Sequence, residues 1–456
     1  MSNATRPSRR RFMRQMACSA VGYSAAVGAV MDLLKLNAIA QTAPGEYRAL
    51  VCVFLYGGND ANNLLVPRSG ADYTAYQTTR GAIALPQASL LPITPLNPDG
   101  RDYGLHPNCP GLQSLFAQGR AAFLANVGPL VAPVTRQDYV NRTAALPRQL
   151  FSHSDQQVIW QSSIPQGPAT SGWGGRIADL LYSLNGNSRV SMSISTGGTN
   201  TFQVGRDVFQ YQVNTNGPVG LSGYQFPPST DPESRAIDRM LALQHRNIFE
   251  NAYRDTVRGA IDTQQLVQSS LASAPALATV FPTTRLAQQL QIVARLIAVR
   301  GSLGHQRQVF FCSAGGYDTH GGQLTAQANL FTELDGALAA FYAATAELGV
   351  QDQVTAFTAS DFGRTFASNG SGSDHGWGSH HLIVGGAVQG GRIFGRYPIL
   401  AVNGPDDAGL GRWIPATSVD EYGATLARWF GVSPTDLPLV FPNLGRFASP
   451  DLGFMG

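Results

Sequence analysis

Charge is scarce in this chain. Only 13% of its 456 residues are Asp, Glu, Lys or Arg, against 43% hydrophobic, which excludes disorder of the whole chain and provides for a large core. Cysteine is scarce too. Of four, Cys18 lies in the first forty residues, leaving Cys52, Cys109 and Cys312; three thiols allow one disulfide at most and exclude a disulfide scaffold. Cys52 and Cys312 sit inside apolar runs where a buried structural thiol is expected. Beyond residue 40 no apolar stretch approaches 18 residues, so no membrane span is expected in the mature protein. No G-x-G-x-x-G or Walker loop follows the first apolar run, and no G-x-S-x-G elbow occurs, which leaves nucleotide binding and elbow-type serine hydrolysis without support. Repeats and low-complexity arrays are also missing.

The formal net charge of +3 is misleading, because Arg6, Arg9, Arg10, Arg11, Arg14 and Lys35 face only Asp32 in the first forty residues. The remainder carries about −2, too little positive field to hold nucleic acid as a partner. Those forty residues read as an address. Arg9-Arg10-Arg11 precedes a short, weakly apolar segment, Met16 to Met31, and Ala38-Ile39-Ala40 offers the small residues a signal peptidase requires. The pattern predicts a mature start at Gln41 and resembles signals for the twin-arginine export machinery, so a periplasmic or secreted protein is expected. A retained N-terminal anchor is the alternative.

What is present in abundance is the short, nearly continuous apolar run: 49–55, 121–127, 190–194, 309–312, 354–358 and 382–384. Continuous hydrophobicity means both faces of a strand are covered, the habit of a mostly parallel sheet between helices. The expectation is a three-layer α/β/α sandwich. Helical spacing is clearest at 286–297 and 324–348, ending at Gly301 and Gly349. The stretch 197–282, polar and Gly/Asn/Pro-rich over 214–228 and then helical and charged over 232–268, reads as an excursion or cap on a single domain spanning 41–456.

In such sheets functional groups collect where strands end. The run at 49–55 leads into Gly57-Gly58-Asn59-Asp60, that at 309–312 into Gly316-Tyr317-Asp318-Thr319-His320, and that at 354–358 into Ser360-Asp361-Phe362-Gly363-Arg364. A Gly-rich loop then holds Asp374-His375, and His380-His381 opens the next run. Mixed carboxylate and imidazole sets suit zinc, manganese or iron better than calcium or magnesium. The candidate ligands are therefore Asp60, Asp318, His320, Asp361, His375 and His380 or His381. Each has a plainer reading: Asp60 as a turn or helix cap, Asp361 as a cap or a partner of Arg364, and some histidines as surface groups. His106, His153, His245 and His305 have no partner motif and are assigned to packing or solvent.

Gly-Gly-Asn-Asp at 57–60, Tyr-Gly-Leu-His-Pro at 103–107, Gly-Tyr-Asp-Thr-His at 316–320, Ser-Asp-Phe-Gly-Arg-Thr at 360–365 and Asp-His-Gly-Trp-Gly at 374–378 together resemble the exported family catalogued as domain of unknown function 1501. That family is grouped with the alkaline phosphatase and sulfatase superfamily. The resemblance implies an alkaline-phosphatase-like fold, one or two divalent metal ions, and a nucleophile attacking a phosphate or sulfate ester in a small-molecule or polymer substrate. It places Asp60, Asp318, His320, Asp361 and His380 or His381 at metal-contacting positions. It implies a nucleophile at Thr135 with Arg136, after a segment similar to the sulfatase run. One departure is clear: relatives show Asp-His where this chain has Asp361-Phe362, so a nitrogen ligand is missing unless His375 replaces it. The functions in competition are a metal-dependent hydrolase and a non-catalytic exported binding protein that keeps the fold.

Overall fold

The computed structural model describes residues 46–456 apart from Asn187; the expected signal segment 1–40 and the expected start at Gln41 lie outside the described residues. Its frame is a ten-stranded sheet: β1 (Arg48–Leu55), β2 (Ala121–Gly128), β3 (Ser193–Ser195), β4 (Tyr211–Asn214), β5 (Gly217–Pro218), β6 (Arg307–Ala314), β7 (Val354–Ser360), β8 (Ser379–Gly385), β9 (Ile393–Gly395) and β10 (Thr417–Ser418). The order is β9-β2-β8-β7-β1-β6-β3-β4-β5, with β10 also paired to β2. Pairing is parallel except where β8 meets β7 and β2 and where β5 meets β4. The fold is thus mixed α/β with a mostly parallel central sheet. A separate three-stranded antiparallel sheet joins Leu65–Pro67, Tyr103–Leu105 and Leu91–Ile93.

The apolar runs are continuous for a visible reason. Along β1, Ala49, Val51, Val53 and Leu55 enter one core and Leu50, Cys52 and Phe54 enter another on the opposite face, as the two-residue period of a strand requires. Helices Arg285–Ala298 and Gln323–Glu347 cover the first face, and Trp173–Leu181 and Val419–Phe430 the second, which gives three layers. Gly349, at φ +67°, ends the long helix in the left-handed conformation that suits glycine. Cys52, Cys109 and Cys312 are all buried and unpaired. Among the described residues no helix is long and apolar enough to cross a membrane.

The excursion contains two helices, Pro232–Ala242 and Ile248–Ala272, where one charged helical stretch was expected. Val267 and Leu271 of the second bury into the first core. The contacts of this helix run to β5 and, through the Leu271 carbonyl, to Arg295; no hydrogen bond among the described residues joins 214–282 to the candidate ligands. The segment flanks the β4–β5 edge, whereas the candidate ligands follow β1, β6 and β7 and precede β8.

Candidate metal centre

The ends of β1, β6 and β7 and the start of antiparallel β8 share one edge, so four loops meet there. Glycine allows the meeting to be close. Gly57 sits at φ +116°, and a Cβ on it would lie 2.4 Å from the Asp318 backbone nitrogen. Gly372 brings the loop before β8 against the one after β6: a Cβ there would lie 2.4 Å from the His320 carbonyl carbon. Ser373 N donates to Thr319 O at 3.2 Å and Thr365 N to Asp374 O at 2.9 Å, which ties three loops into one rim.

Asp318 is the centre of what results. His320 Nε2 lies 3.1 Å and His375 Nε2 3.4 Å from its Oδ1, and His153 Nε2 lies 3.4 Å from its Oδ2. The Nε2 atoms of His320 and His375 are 3.0 Å apart. Ligand atoms of His153, Asp318 and His375 all fall within 4.8 Å of one another; His320 lies outside that set and meets it through Asp318 and His375. Each imidazole is held from behind. His153 Nδ1 meets Asp361 Oδ2 at 2.6 Å, His320 Nδ1 meets Asp374 Oδ1 at 3.1 Å, and His375 Nδ1 donates to the Phe151 carbonyl at 2.8 Å. Partners that only accept assign the proton to Nδ1 in all three rings. With the rings neutral, the three Nε2 lone pairs turn toward the Asp318 carboxylate.

Asp361 accepts from His153, from Gln157 Nε2 at 2.9 Å and from Gly57 N at 3.2 Å, all on Oδ2. Burial raises its carboxyl above the ordinary range despite these donors. Burial would also raise Asp318, but Arg364, donating from Nη1 at 2.6 Å, outweighs it and holds that carboxyl low. Arg364 is itself fully buried and donates further to Gly57 O at 3.1 Å and to Ser373 O. Asp374 is held low mainly by the Asn369 amide. His375 is pushed down by burial, with His153 and Arg364 adding to the effect. Phe362 packs beside both His153 and His375, with centroids 4.8 and 4.7 Å apart.

The structure gathers Asp318, His320, His375 and Asp361 and leaves the other expected ligands elsewhere. Asp60 is fully enclosed in an ion pair with Arg80. Its oxygens also accept from Gln323 Nε2 at 2.5 Å and Asn62 Nδ2 at 2.9 Å, so no lone pair is left aimed at the rim. His380 is buried with its ring stacked on Tyr397 and its Nδ1 accepting from Asn126 N at 3.1 Å. His381 is buried against Trp160, its Nδ1 3.3 Å from Thr358 Oγ1. Burial depresses both imidazoles to about 3. Thr135 caps helix Arg136–Asn141: its hydroxyl donates to Asp138 Oδ2 at 2.5 Å and accepts from Asp138 N at 3.2 Å. Arg136 Nε donates to the Asp407 carbonyl at 3.1 Å, and neither residue hydrogen-bonds to the cluster.

His153 is the correction in the other direction. Assigned to packing or solvent, it stands in the cluster, at the first position of helix His153–Ser162. Its partners lie 165 to 222 residues away in sequence, so no local motif points to it. The signal available was the spacing His153, Gln157, Gln161, a polar stripe at i, i+4, i+8 beside the buried Ile159 and Trp160. The other three histidines do pack or meet solvent-facing partners: His106 against Phe331, His305 on the Val190 carbonyl, His245 beside Glu250.

The sequence model of the family described as protein of unknown function (DUF1501) matches residues 47–409. A search of curated proteins gives no match. Among solved structures, the PsFucS1 sulfatase from Pseudoalteromonas sp. is similar at 11% identity, over 90% of this chain and 72% of that one, with a TM-score of 0.35. The lipoteichoic acid synthase LtaP from Listeria monocytogenes is similar at 7% identity, over 88% and 76%, at 0.35. The phosphonate monoester hydrolase of Agrobacterium radiobacter is similar at 8%, over 87% and 77%, at 0.31. At TM-scores of this size the likeness lends nothing to the assignment of the site.

Proposed function

This chain belongs to the family described as protein of unknown function DUF1501, and we propose that it is an exported, divalent-metal-dependent hydrolase of phosphate or sulfate esters. One observation carries the reading. Three imidazoles, each with its Nδ1 proton directed outward, aim Nε2 lone pairs at the Asp318 carboxylate. Four electron-pair donors converging without a cation repel one another, and His153 Nε2 is buried with no hydrogen-bond partner. A divalent ion held among His153, Asp318 and His375, and reached by His320, would satisfy all four, and the carboxylates and carbonyl behind the rings are the supports metal-binding histidines ordinarily have. Zinc, manganese or iron fits this donor set.

When bound, the ion would supply Lewis-acid charge to an ester oxygen and favour the ionised form of water. The protein's own groups do the rest. Asp361 and Asp374 fix the outward protons of His153 and His320, so Nε2 stays available on the inner side. Arg364 offsets part of the charge of Asp318 and Asp374; with Asp361 these form a concentration of negative charge that without a cation would repel an anionic ester. Phe362 closes one side of the His153 and His375 rings with hydrocarbon and keeps water from them. With the Thr135 hydroxyl engaged in its helix cap, and no Ser or Thr hydroxyl bonded to the four ligands among the described residues, water is the attacking nucleophile in this reading.

Export rests on the paired arginines and the Ala38-Ile39-Ala40 site. The test of function is the metal content of the protein purified from its native host, with turnover of aryl phosphates and aryl sulfates. His320→Ala and His375→Ala should lose metal and turnover while retaining the fold. A metal-free native protein, unchanged in stability by these substitutions, selects the non-catalytic binding protein instead.

A further inference from the structure

Arg412 stands beside the cluster, and the metal chemistry makes no use of it. Its Nε donates to the backbone carbonyl of His375 at 2.8 Å, its guanidinium lies over the Phe151 ring at 4.8 Å from the centroid, and Nη1 reaches the Gly409 carbonyl at 3.4 Å. The two residues it rests on are joined at the centre itself, because the Phe151 carbonyl accepts from His375 Nδ1. The side chain is half-buried, yet no carboxylate pairs with it and no bond to Nη2 exists among the described residues.

That is an unusual state for a guanidinium. Holding a long cationic side chain in one place costs rotamer freedom and partial desolvation, and here no counter-charge among the described residues offsets it. Arg364, in contrast, spends its donors on Asp318, Gly57 and Ser373. Arg142 and Arg148, on the segment leading to Phe151, are exposed and likewise unpaired among the described residues. Stacking on an aromatic ring with one edge pinned is also how a guanidinium is oriented to present its remaining donors to a planar or tetrahedral anion.

We infer that Arg412 is a specificity-determining residue that binds a second anionic group, so the favoured substrate carries two separate anionic groups, one taken at the metal and one on this guanidinium. The inference rests on the ester-hydrolase reading for the first group; the second is assigned by Arg412 alone.

Calorimetric titration with inorganic pyrophosphate and with orthophosphate tests it, on the full mature protein as purified and after removal of its metal. The native protein should prefer pyrophosphate. Arg412→Ala should weaken pyrophosphate by about tenfold to a hundredfold, the range for one charge-assisted bidentate contact, and leave orthophosphate within about twofold. Arg412→Lys should recover only part, because an ammonium lacks the two-pronged geometry. Metal content should be the same in all three proteins. If the two anions weaken together, or neither changes, Arg412 merely packs on Phe151 and the inference is overturned. A metal-free native protein would end the hydrolase reading and the place of the first group at the metal, but not the anion site on Arg412: pyrophosphate must then still bind more weakly to Arg412→Ala, and equal binding would overturn it.

Discussion

Asp60→Asn distinguishes a structural carboxylate from a metal ligand. The side chains of Asp60 and Arg80 are both at 0% exposure, so water cannot replace the lost charge. Arg80 would keep only neutral acceptors, the Thr365 and Phe366 carbonyls at 3.3 and 3.5 Å and at most the Asn amide oxygen. Removing one member of a buried pair costs about 3–5 kcal/mol, most of it the penalty of the charge left behind. Unfolding entropy of about 2.1 cal/mol/K per residue makes 1 kcal/mol worth about 1 °C in a chain of this length, so the melting temperature should fall by about 3–5 °C. The double substitution Asp60→Asn with Arg80→Met should recover much of that loss, because no charge then remains enclosed. Scanning calorimetry alongside elemental analysis reads both quantities. Metal content should equal that of the native protein. Loss of metal with an unchanged melting temperature would refute the reasoning and return Asp60 to the metal.

Other substitutions bear on the same account. Asp361→Asn, which weakens the support behind His153, should lower metal affinity or turnover about ten- to a hundredfold with the fold intact; unchanged affinity and turnover would remove Asp361 from the centre. Thr135→Ala should cost about 1 kcal/mol as a lost helix cap and leave turnover untouched, whereas abolished turnover would restore it as the nucleophile. Acid lability should come from His380 and His381, buried and held at about 3, and His106, held at about 4. The unfolded chain binds these protons near pH 6.5 and the native one does not, so stability is full above that pH and falls as pH drops toward 3. Each histidine contributes about 1.4 kcal/mol per pH unit in that window. Denaturant midpoints that stay level from pH 7 to 4.5 would contradict this.

The layered fold was legible because strands covered on both faces carry unbroken apolar runs; 48–55, 307–314 and 354–360 differ from expectation only at their ends. The reversed direction of β8 was not legible, since a covered strand reads the same either way. Of the site, Asp318, His320, Asp361 and His375 were visible because their loops follow β6 and β7 and precede β8. What sequence could not show was which carboxylates are already spent. Arg80, twenty residues beyond Asp60, consumes it, and the inward face of β8 withdraws His380 into the core. His153 was hidden for the converse reason: all its partners come from loops that reach it only after the sheet has formed.

The central claim is that His153, His320, His375 and Asp318 grip one cation. Anomalous diffraction at the absorption edges of zinc, manganese and iron, from crystals of protein purified from its native host, tests this. The account predicts a single strong peak at about 2.0–2.2 Å from the three Nε2 atoms and an Asp318 oxygen. A featureless map over an ordered cluster, or a peak seated on Asp60 or His380 instead, would contradict it.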